Sequence, residues 1–76
     1  MDKIVYSIVS RGELRIIYRG EVFIITGELL FKPPKFYADI VSLSKISKLN
    51  EEDKKQIIEF IQKDSFEKIG TEIIFD

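Results

Sequence analysis

The first third of the chain consists of short apolar runs separated by turn residues. Residues 4–10 are rich in β-branched side chains and are followed by a turn at residues 11–13, after which residues 14–18 form a second run. A second turn at Arg19-Gly20 leads into a third run, residues 21–26. Short β-rich runs joined by brief glycine-containing connections are typical of hairpins, so this pattern predicts an antiparallel meander.

Alternation within these runs assigns side chains to opposite faces of the predicted sheet. In the second run one face is apolar and comprises Leu14, Ile16 and Tyr18, while the other carries Arg15 and Ile17. The third run is apolar on both faces, which is typical of a strand that is central or covered on both sides. Its two faces are Val22 with Ile24, and Phe23 with Ile25. Gly27 is predicted to end this strand.

The middle of the chain carries weaker signals. Residues 32–35 contain two prolines, which cannot donate ladder hydrogen bonds, and this predicts a loop. Residues 36–41 predict a fourth strand, and residues 71–75 predict a final one. Residues 42–48 alternate small polar with apolar side chains, and we interpret them as an irregular edge strand or an extended connection.

A helix is predicted between Asn50 and Gly70. Asn50 is a favoured N-cap residue, and Asp53 occupies the third helical position. The acidic residues 51–53 lie where the helix dipole favours negative charge. Gly70 suits the C-terminal cap because glycine tolerates the left-handed conformation that often ends a helix.

One side of this helix is predicted to pack on the sheet. Ile57, Ile58 and Ile61 fall within an arc of about 100°, with Ile69 just beside it. Phe66 lies outside the arc, so either the helix changes direction near residues 64–65 or Phe66 contacts something other than the sheet. Opposite charges four residues apart add stability to the helix. These pairs are Glu51–Lys55, Glu59–Lys63 and Asp64–Lys68.

Together these elements predict a single small α+β domain that spans residues 1–76. The predicted architecture is an antiparallel β-meander with one helix, in the C-terminal half, packed on the sheet, and a final returning strand. A chain of 76 residues without cysteine or histidine has neither disulfides nor a Cys/His zinc site to stabilise it. Its core must therefore be apolar and dense, and hydrophobic residues do make up 45% of the chain.

The composition also restricts the chemistry. Without cysteine or histidine, thiol catalysis and a Ser-His-Asp triad are excluded. The densest acidic cluster, residues 51–53, is a poor magnesium site because consecutive helical side chains diverge by about 100°. We therefore expect no enzyme activity, no metal and no cofactor. The sequence shows neither a signal peptide nor an apolar stretch of about 20 residues, which predicts a cytoplasmic protein without membrane contact.

Charge is divided unevenly along the chain. Residues 1–48 hold eight basic and five acidic residues, a net charge of +3, whereas residues 49–76 hold four basic and eight acidic residues, a net charge of −4. The total of −1 hides this division. An acidic helical half is typical of an ordinary solvated helix, and it is also the feature that attracts and orients a basic partner.

Two other functions are compatible with the sequence. Arg11, Arg15 and Arg19, with Tyr18 nearby, form a basic and aromatic set on the first hairpin that would suit single-stranded RNA. Glu13 and Glu21 lie among them, however, and this weakens the case for nucleic acid. The other function is a generic interaction subunit, in which exposed strand edges pair.

Several short motifs, in the same order, resemble a known family. They are Gly27-Glu28-Leu29-Leu30, then Phe36-Tyr37-Ala38-Asp39 with Ile46 beyond, then Leu49-Asn50-Glu51-Glu52-Asp53 before Ile57-Ile58, and Gly70-Thr71-Glu72-Ile73 before the last strand. This order, from about residue 14 to residue 76, resembles the immunity protein 74 family of bacterial polymorphic toxin systems. The resemblance implies a non-enzymatic protein that binds a cognate toxin domain, such as a nuclease, and blocks its active or substrate-binding surface.

The expected partner-binding residues follow from the acidic helix and this resemblance. The first group is expected to steer and contact the toxin, and it consists of Glu51, Glu52, Glu59 and Asp64. Glu28 and Asp39 form a second group of candidates. Phe66 is expected to act as an apolar anchor, because aromatic side chains dominate the energetics of many interfaces.

Overall fold

A computed structural model describes residues 3–76 and shows an α+β fold, as the sequence predicts. Met1 and Asp2, which the predicted domain includes, lie outside the described residues. The elements are β1 (Ile4–Ser10), β2 (Glu13–Tyr18), β3 (Glu21–Phe31), β4 (Pro34–Ala38), α1 (Ile40–Ser44), α2 (Glu51–Ile69) and β5 (Glu72–Phe75). The five strands form one sheet in the order β1-β2-β3-β4-β5. Neighbouring strands are antiparallel except β4 and β5, which are parallel because α2 returns the chain between them.

The meander over the first three strands is confirmed, and its second turn has the geometry of a tight hairpin. Arg19 and Gly20 both have positive φ, at 54° and 77°. Two positive φ values in succession give a turn whose twist matches that of the flanking strands. Arg19 adopts a conformation that is rare for a residue with a side chain, and its guanidinium lies 3.4 Å from the Asp53 carboxylate.

The third strand is longer than predicted. Gly27 does not end it, because β3 continues to Phe31, pairing first with β2 and then, from Gly27 onward, with β4. A Cβ on Gly27 would collide with the Phe36 ring and would lie 2.6 Å from the Tyr37 carbonyl oxygen. The glycine is therefore needed for the close approach of β4, where the sequence suggested a strand end.

The prediction for residues 36–48 is also wrong in part. β4 ends at Ala38, and residues 40–44 form α1 instead of the end of a strand followed by an edge strand or extended connection. The reason is Asp39, whose carboxylate accepts a hydrogen bond from the Val41 N–H at 3.0 Å and so caps α1. Pro34, predicted to lie in a loop, is the first residue of β4, where a missing N–H is tolerated.

The predicted ends of α2 are confirmed. The Asp53 N–H donates to Asn50 Oδ1 at 2.7 Å, and the Asn50 N–H donates to Asp53 Oδ2 at 3.2 Å, which completes a capping box. Gly70 ends the helix with φ of 73°. Among the charged residues of the first turns, Glu51 pairs with Lys54 at 3.6 Å.

The core lies between one face of the sheet and α2. The predicted apolar face of β2 is fully buried, and Ile57 and Ile61 of α2 are buried against the sheet while Ile58 is half-buried. The largest fully buried side chains are Tyr18, Phe36, Leu14, Ile16, Ile25, Leu43, Ile57, Ile61 and Ile73. β3 is central, as predicted, but only one of its faces is covered: Val22 and Ile24 on the other face are 57% and 47% exposed.

Candidate partner-binding surface

The outward side of α2 carries three of the predicted partner-binding residues in one stripe. Glu52, Glu59 and Phe66 are exposed and are spaced by whole helical turns, so their side chains lie on the same side of the helix. Phe66 is 66% exposed, the largest exposure among the large apolar side chains of residues 3–76. This exposure shows that Phe66 does not pack on the sheet, and its contact with something other than the sheet stays a prediction.

An apolar groove of about 360 Å³ lies beside this stripe, between α1 and the first half of α2. Its floor is apolar and is formed by Ile40, Leu43 and Ile58, and two predicted partner-binding residues, Glu51 and Glu59, lie on its rim. The rest of its lining is Ser44, Lys54 and Lys55. The groove thus joins an apolar floor to a charged rim, a combination that binds side chains of another molecule.

Lys54 fixes the geometry of this groove. Its ammonium group donates to the Ser44 carbonyl oxygen at 2.8 Å and lies 3.6 Å from the Glu51 carboxylate. These contacts attach the C-terminal end of α1 to the first turn of α2, and they leave the Lys54 side chain only 13% exposed. The groove is therefore held open by the fold before any partner binds.

Asp64 lies apart from the other acidic residues of α2. It is half-buried on the side facing β1, where it accepts a hydrogen bond from the Tyr6 hydroxyl at 2.6 Å. Burial, the Asp64 hydrogen bond and the Asp64 charge, in that order, raise the pKa of Tyr6 well above its ordinary value. This contact gives Asp64 a role in joining α2 to β1.

Glu28 and Asp39 line a separate shallow depression beside the middle of β3 and the C-terminal end of β4. Its lining also includes Thr26, Tyr37 and Asp76, and none of its lining residues lines the α1–α2 groove. Asp39 is the cap of α1 and lies 3.5 Å from the Thr26 hydroxyl. The structure thus brings Glu51 and Glu59 together and Glu28 and Asp39 together, but in two places.

The arginines of the first hairpin do not form one surface with Tyr18. Tyr18 is buried, and its hydroxyl donates to Asp53 at 3.0 Å, so its ring is not exposed for stacking on a base. Arg19 lies over the Tyr18 ring at 4.9 Å, and Arg11 lies over the Phe31 ring at 5.0 Å, at the other end of the hairpin. Arg15 lies between these two ends, on the uncovered face of β2.

The apolar floor of the groove is not predicted by the sequence pattern. Ile40 and Leu43 were assigned to a strand and a connection, and only their position in α1 places them opposite Ile58. The signal that could have found them is Asp39, an N-cap residue type placed directly before them. Among residues 3–76, no three acidic side chains lie close enough together to hold a metal ion.

Comparisons with known proteins identify no relative. The chain matches no family model, no curated protein and no solved structure. The resemblance to the immunity protein 74 family therefore stays a prediction. Neither helix within residues 3–76 has the length and apolar character that crossing a membrane requires.

Proposed function

We propose that this protein is a non-enzymatic inhibitor, an immunity protein that binds a cognate bacterial toxin domain in the cytoplasm and covers its active or substrate-binding surface. The observation that carries the proposal is the outward side of α2. There, Glu52, Glu59 and Phe66 share one stripe beside an apolar groove whose rim includes Glu51. Exposed carboxylates around an apolar anchor are suited to a basic protein surface.

The chemistry of the partner follows from this arrangement. Glu51, Glu52 and Glu59 would face a surface rich in lysine and arginine, such as the substrate-binding surface of a nuclease, which must neutralise phosphates. Phe66 would insert into an apolar pocket of the partner, since a buried aromatic side chain supplies much of the binding energy of an interface. The inhibitor then acts by occupying the site, without chemistry of its own.

The test is co-expression with a toxin domain encoded beside this protein. The short C-terminal domain of a large secreted protein encoded directly upstream would be produced with and without this chain. We expect the chain to restore growth and to purify with that domain as a stoichiometric complex. Phe66→Ala should weaken binding by about 2 kcal/mol or more, roughly 30-fold, if Phe66 is the anchor.

The control variant is Val22→Ala, which shortens an apolar side chain of similar exposure on the opposite side of the molecule and should leave binding unchanged. The absence of such an upstream domain, or a toxic domain that this chain neither binds nor neutralises, would contradict the proposal. Equal binding by wild type and Phe66→Ala would remove Phe66 from the interface.

A further inference from the structure

The two edges of the sheet differ in how the rest of the fold covers their backbone groups. At the β5 edge, the Ile73 N–H donates to Ser65 Oγ and the Phe75 N–H donates to Gln62 Oε1, both at 2.9 Å. Side chains of α2 thus occupy the donors that an added strand would use. Natural proteins commonly cover edges in this way, because an open edge is a template for pairing with another chain.

The β1 edge has no such cover within residues 3–76. No strand of the described chain pairs with the outer side of β1 (Ile4–Ser10), and those seven residues include no charged residue and no proline. Charges and prolines are the usual protection of an exposed edge. The β1–β2 register has one irregularity, at Val9 between Ile8 and Ser10, and it leaves residues 4–8 in regular register with β2. β1 is therefore an edge suited to pairing.

We propose that β1 pairs antiparallel with β1 of a second copy of this chain, about a two-fold axis at Ser7. In a continuous antiparallel sheet, directly opposed side chains point to the same face. The two-fold axis must therefore lie where one residue opposes the same residue of the second copy, and not between two residue positions. With the axis at Ser7, the two copies of β1 overlap along their whole length, and the irregularity at Val9 lies outside the central pairs formed by residues 6–8. Val5 lies opposite Val9 of the second copy, Tyr6 opposite Ile8, and Ser7 opposite Ser7.

The strand fits a second copy of itself because its pattern is close to a palindrome about Ser7. In the centre of this register apolar residues oppose apolar residues and Ser7 opposes Ser7, while at the two ends Ile4 opposes Ser10. Val5 and Val9 are 42% and 46% exposed in the single chain. Val5 also lies beside Ile17, which lies beside Val22, so pairing extends an apolar row that already crosses three strands.

The expected dimer is weak. A stable interface buries about 1,600 Å² in total, and the pairing of two seven-residue strands buries less than that. The dimer should therefore form and dissociate with concentration. The α1–α2 groove and the stripe on α2 share no residue with β1, so this inference does not depend on the proposed function.

Sedimentation of the wild-type chain and two lysine variants tests the proposal. The wild-type mass should rise from one chain toward two with concentration. Ser7→Lys places two ammonium groups opposite each other at the axis, next to Arg15 of each copy, and should keep the chain monomeric. Ser42→Lys, at a half-buried serine of α1, is the control and should behave as wild type.

A cysteine variant tests the register. The chain contains no cysteine, so Ser7→Cys introduces the only thiol. Directly opposed residues of antiparallel strands have Cα atoms about 4.5–5.5 Å apart, within disulfide range. Oxidation should give a covalent dimer with Ser7→Cys and not with Ser42→Cys.

Two results of the sedimentation experiment would overturn the proposal: a wild-type chain that stays monomeric at every concentration, or a Ser7→Lys variant that dimerises as well as the wild type. Failure of the Ser7→Cys variant to crosslink would overturn the register.

Discussion

Asp53 shows how a single residue joins elements that are distant in the chain. It is 5% exposed, and its carboxylate accepts hydrogen bonds from the Tyr18 hydroxyl at 3.0 Å and from the Asn50 N–H at 3.2 Å, and it forms an ion pair with Arg19 at 3.4 Å. A buried carboxylate is costly unless it has such partners. The sequence predicted only the local role at the third position of α2. The contact with the end of β2 spans 35 residues, and no local pattern indicates it.

Gly27 is the second residue whose role depends on distant neighbours. We expect Gly27→Ala to lower the free energy of unfolding by about 1–3 kcal/mol, because the new methyl group would overlap the Phe36 ring and the Tyr37 carbonyl. Urea denaturation measures this change. Gly12→Ala is the matched control: its Cβ would meet only the Gly27 carbonyl, at an ordinary distance of 3.6 Å, so we expect a change within about 0.5 kcal/mol. Equal effects at the two positions would contradict this role of Gly27.

At the scale of elements, α2 holds the two edges of the sheet. Its Ser65 and Gln62 bond to β5, while Asp64 bonds to Tyr6 of β1 and Phe60 packs edge-on against the Tyr6 ring, with centroids 6.3 Å apart. The sheet therefore curls around the helix. Periodicity predicted that α2 packs on the sheet, but the polar residues between its isoleucines decide which strands it holds.

The link between α2 and β1 predicts a dependence of stability on pH. The pKa of Tyr6 is raised in the folded chain, chiefly by burial and also by Asp64, so folded Tyr6 keeps its proton where unfolded Tyr6, with a pKa of about 10, loses it. The unfolded state then binds fewer protons, and stability falls as pH rises above about 10. Tyr6→Phe keeps the ring beside Phe60 and removes the ionisable hydroxyl.

The measurement is the free energy of unfolding of both proteins at neutral pH and above pH 10. We expect the wild type to lose more stability across this range than Tyr6→Phe, because only the wild type has this proton to release on unfolding. Tyr6→Phe should be less stable than wild type at neutral pH, since it leaves Asp64 without the hydroxyl donor. Parallel pH profiles would contradict the raised pKa.

At the scale of the whole molecule, the division of charge bears on association. The N-terminal 48 residues carry +3 and the rest −4, and the exposed carboxylates Glu52 and Glu59 lie on the outward side of α2. A basic partner would be attracted to this side before contact, and salt would screen that attraction over about 8–10 Å. This electrostatic attraction changes the rate of association more than it changes the affinity.

We therefore expect Glu52→Lys with Glu59→Lys to slow association with the toxin domain at low salt by tenfold or more and to flatten its dependence on salt. Stopped-flow mixing at several ionic strengths provides the measurement. Glu13→Lys with Glu21→Lys makes the same change of net charge at exposed positions of β2 and β3, outside the stripe and the groove, and it should have a smaller effect. Equal slowing by both pairs would show that net charge alone matters and that no acidic surface steers the partner.

The sequence by itself determined the parts of this protein that depend on neighbouring residues. Alternation fixed the buried face of β2, the turn residues placed the first two hairpins, and Asn50, Asp53 and Gly70 set the ends of α2. Each of these depends on backbone geometry and capping within a few residues, so a local pattern is enough.

Only the tertiary structure decided the features that depend on what lies across space. Gly27 continues β3 because Phe36 packs where its side chain would be, and α1 supplies the floor of the groove because the fold places it opposite Ile58 of α2. Likewise, α2 covers the β5 edge and leaves β1 open. The physical reason is the same in each case: packing and hydrogen bonding between distant residues outweigh local propensities that differ by about 1 kcal/mol or less.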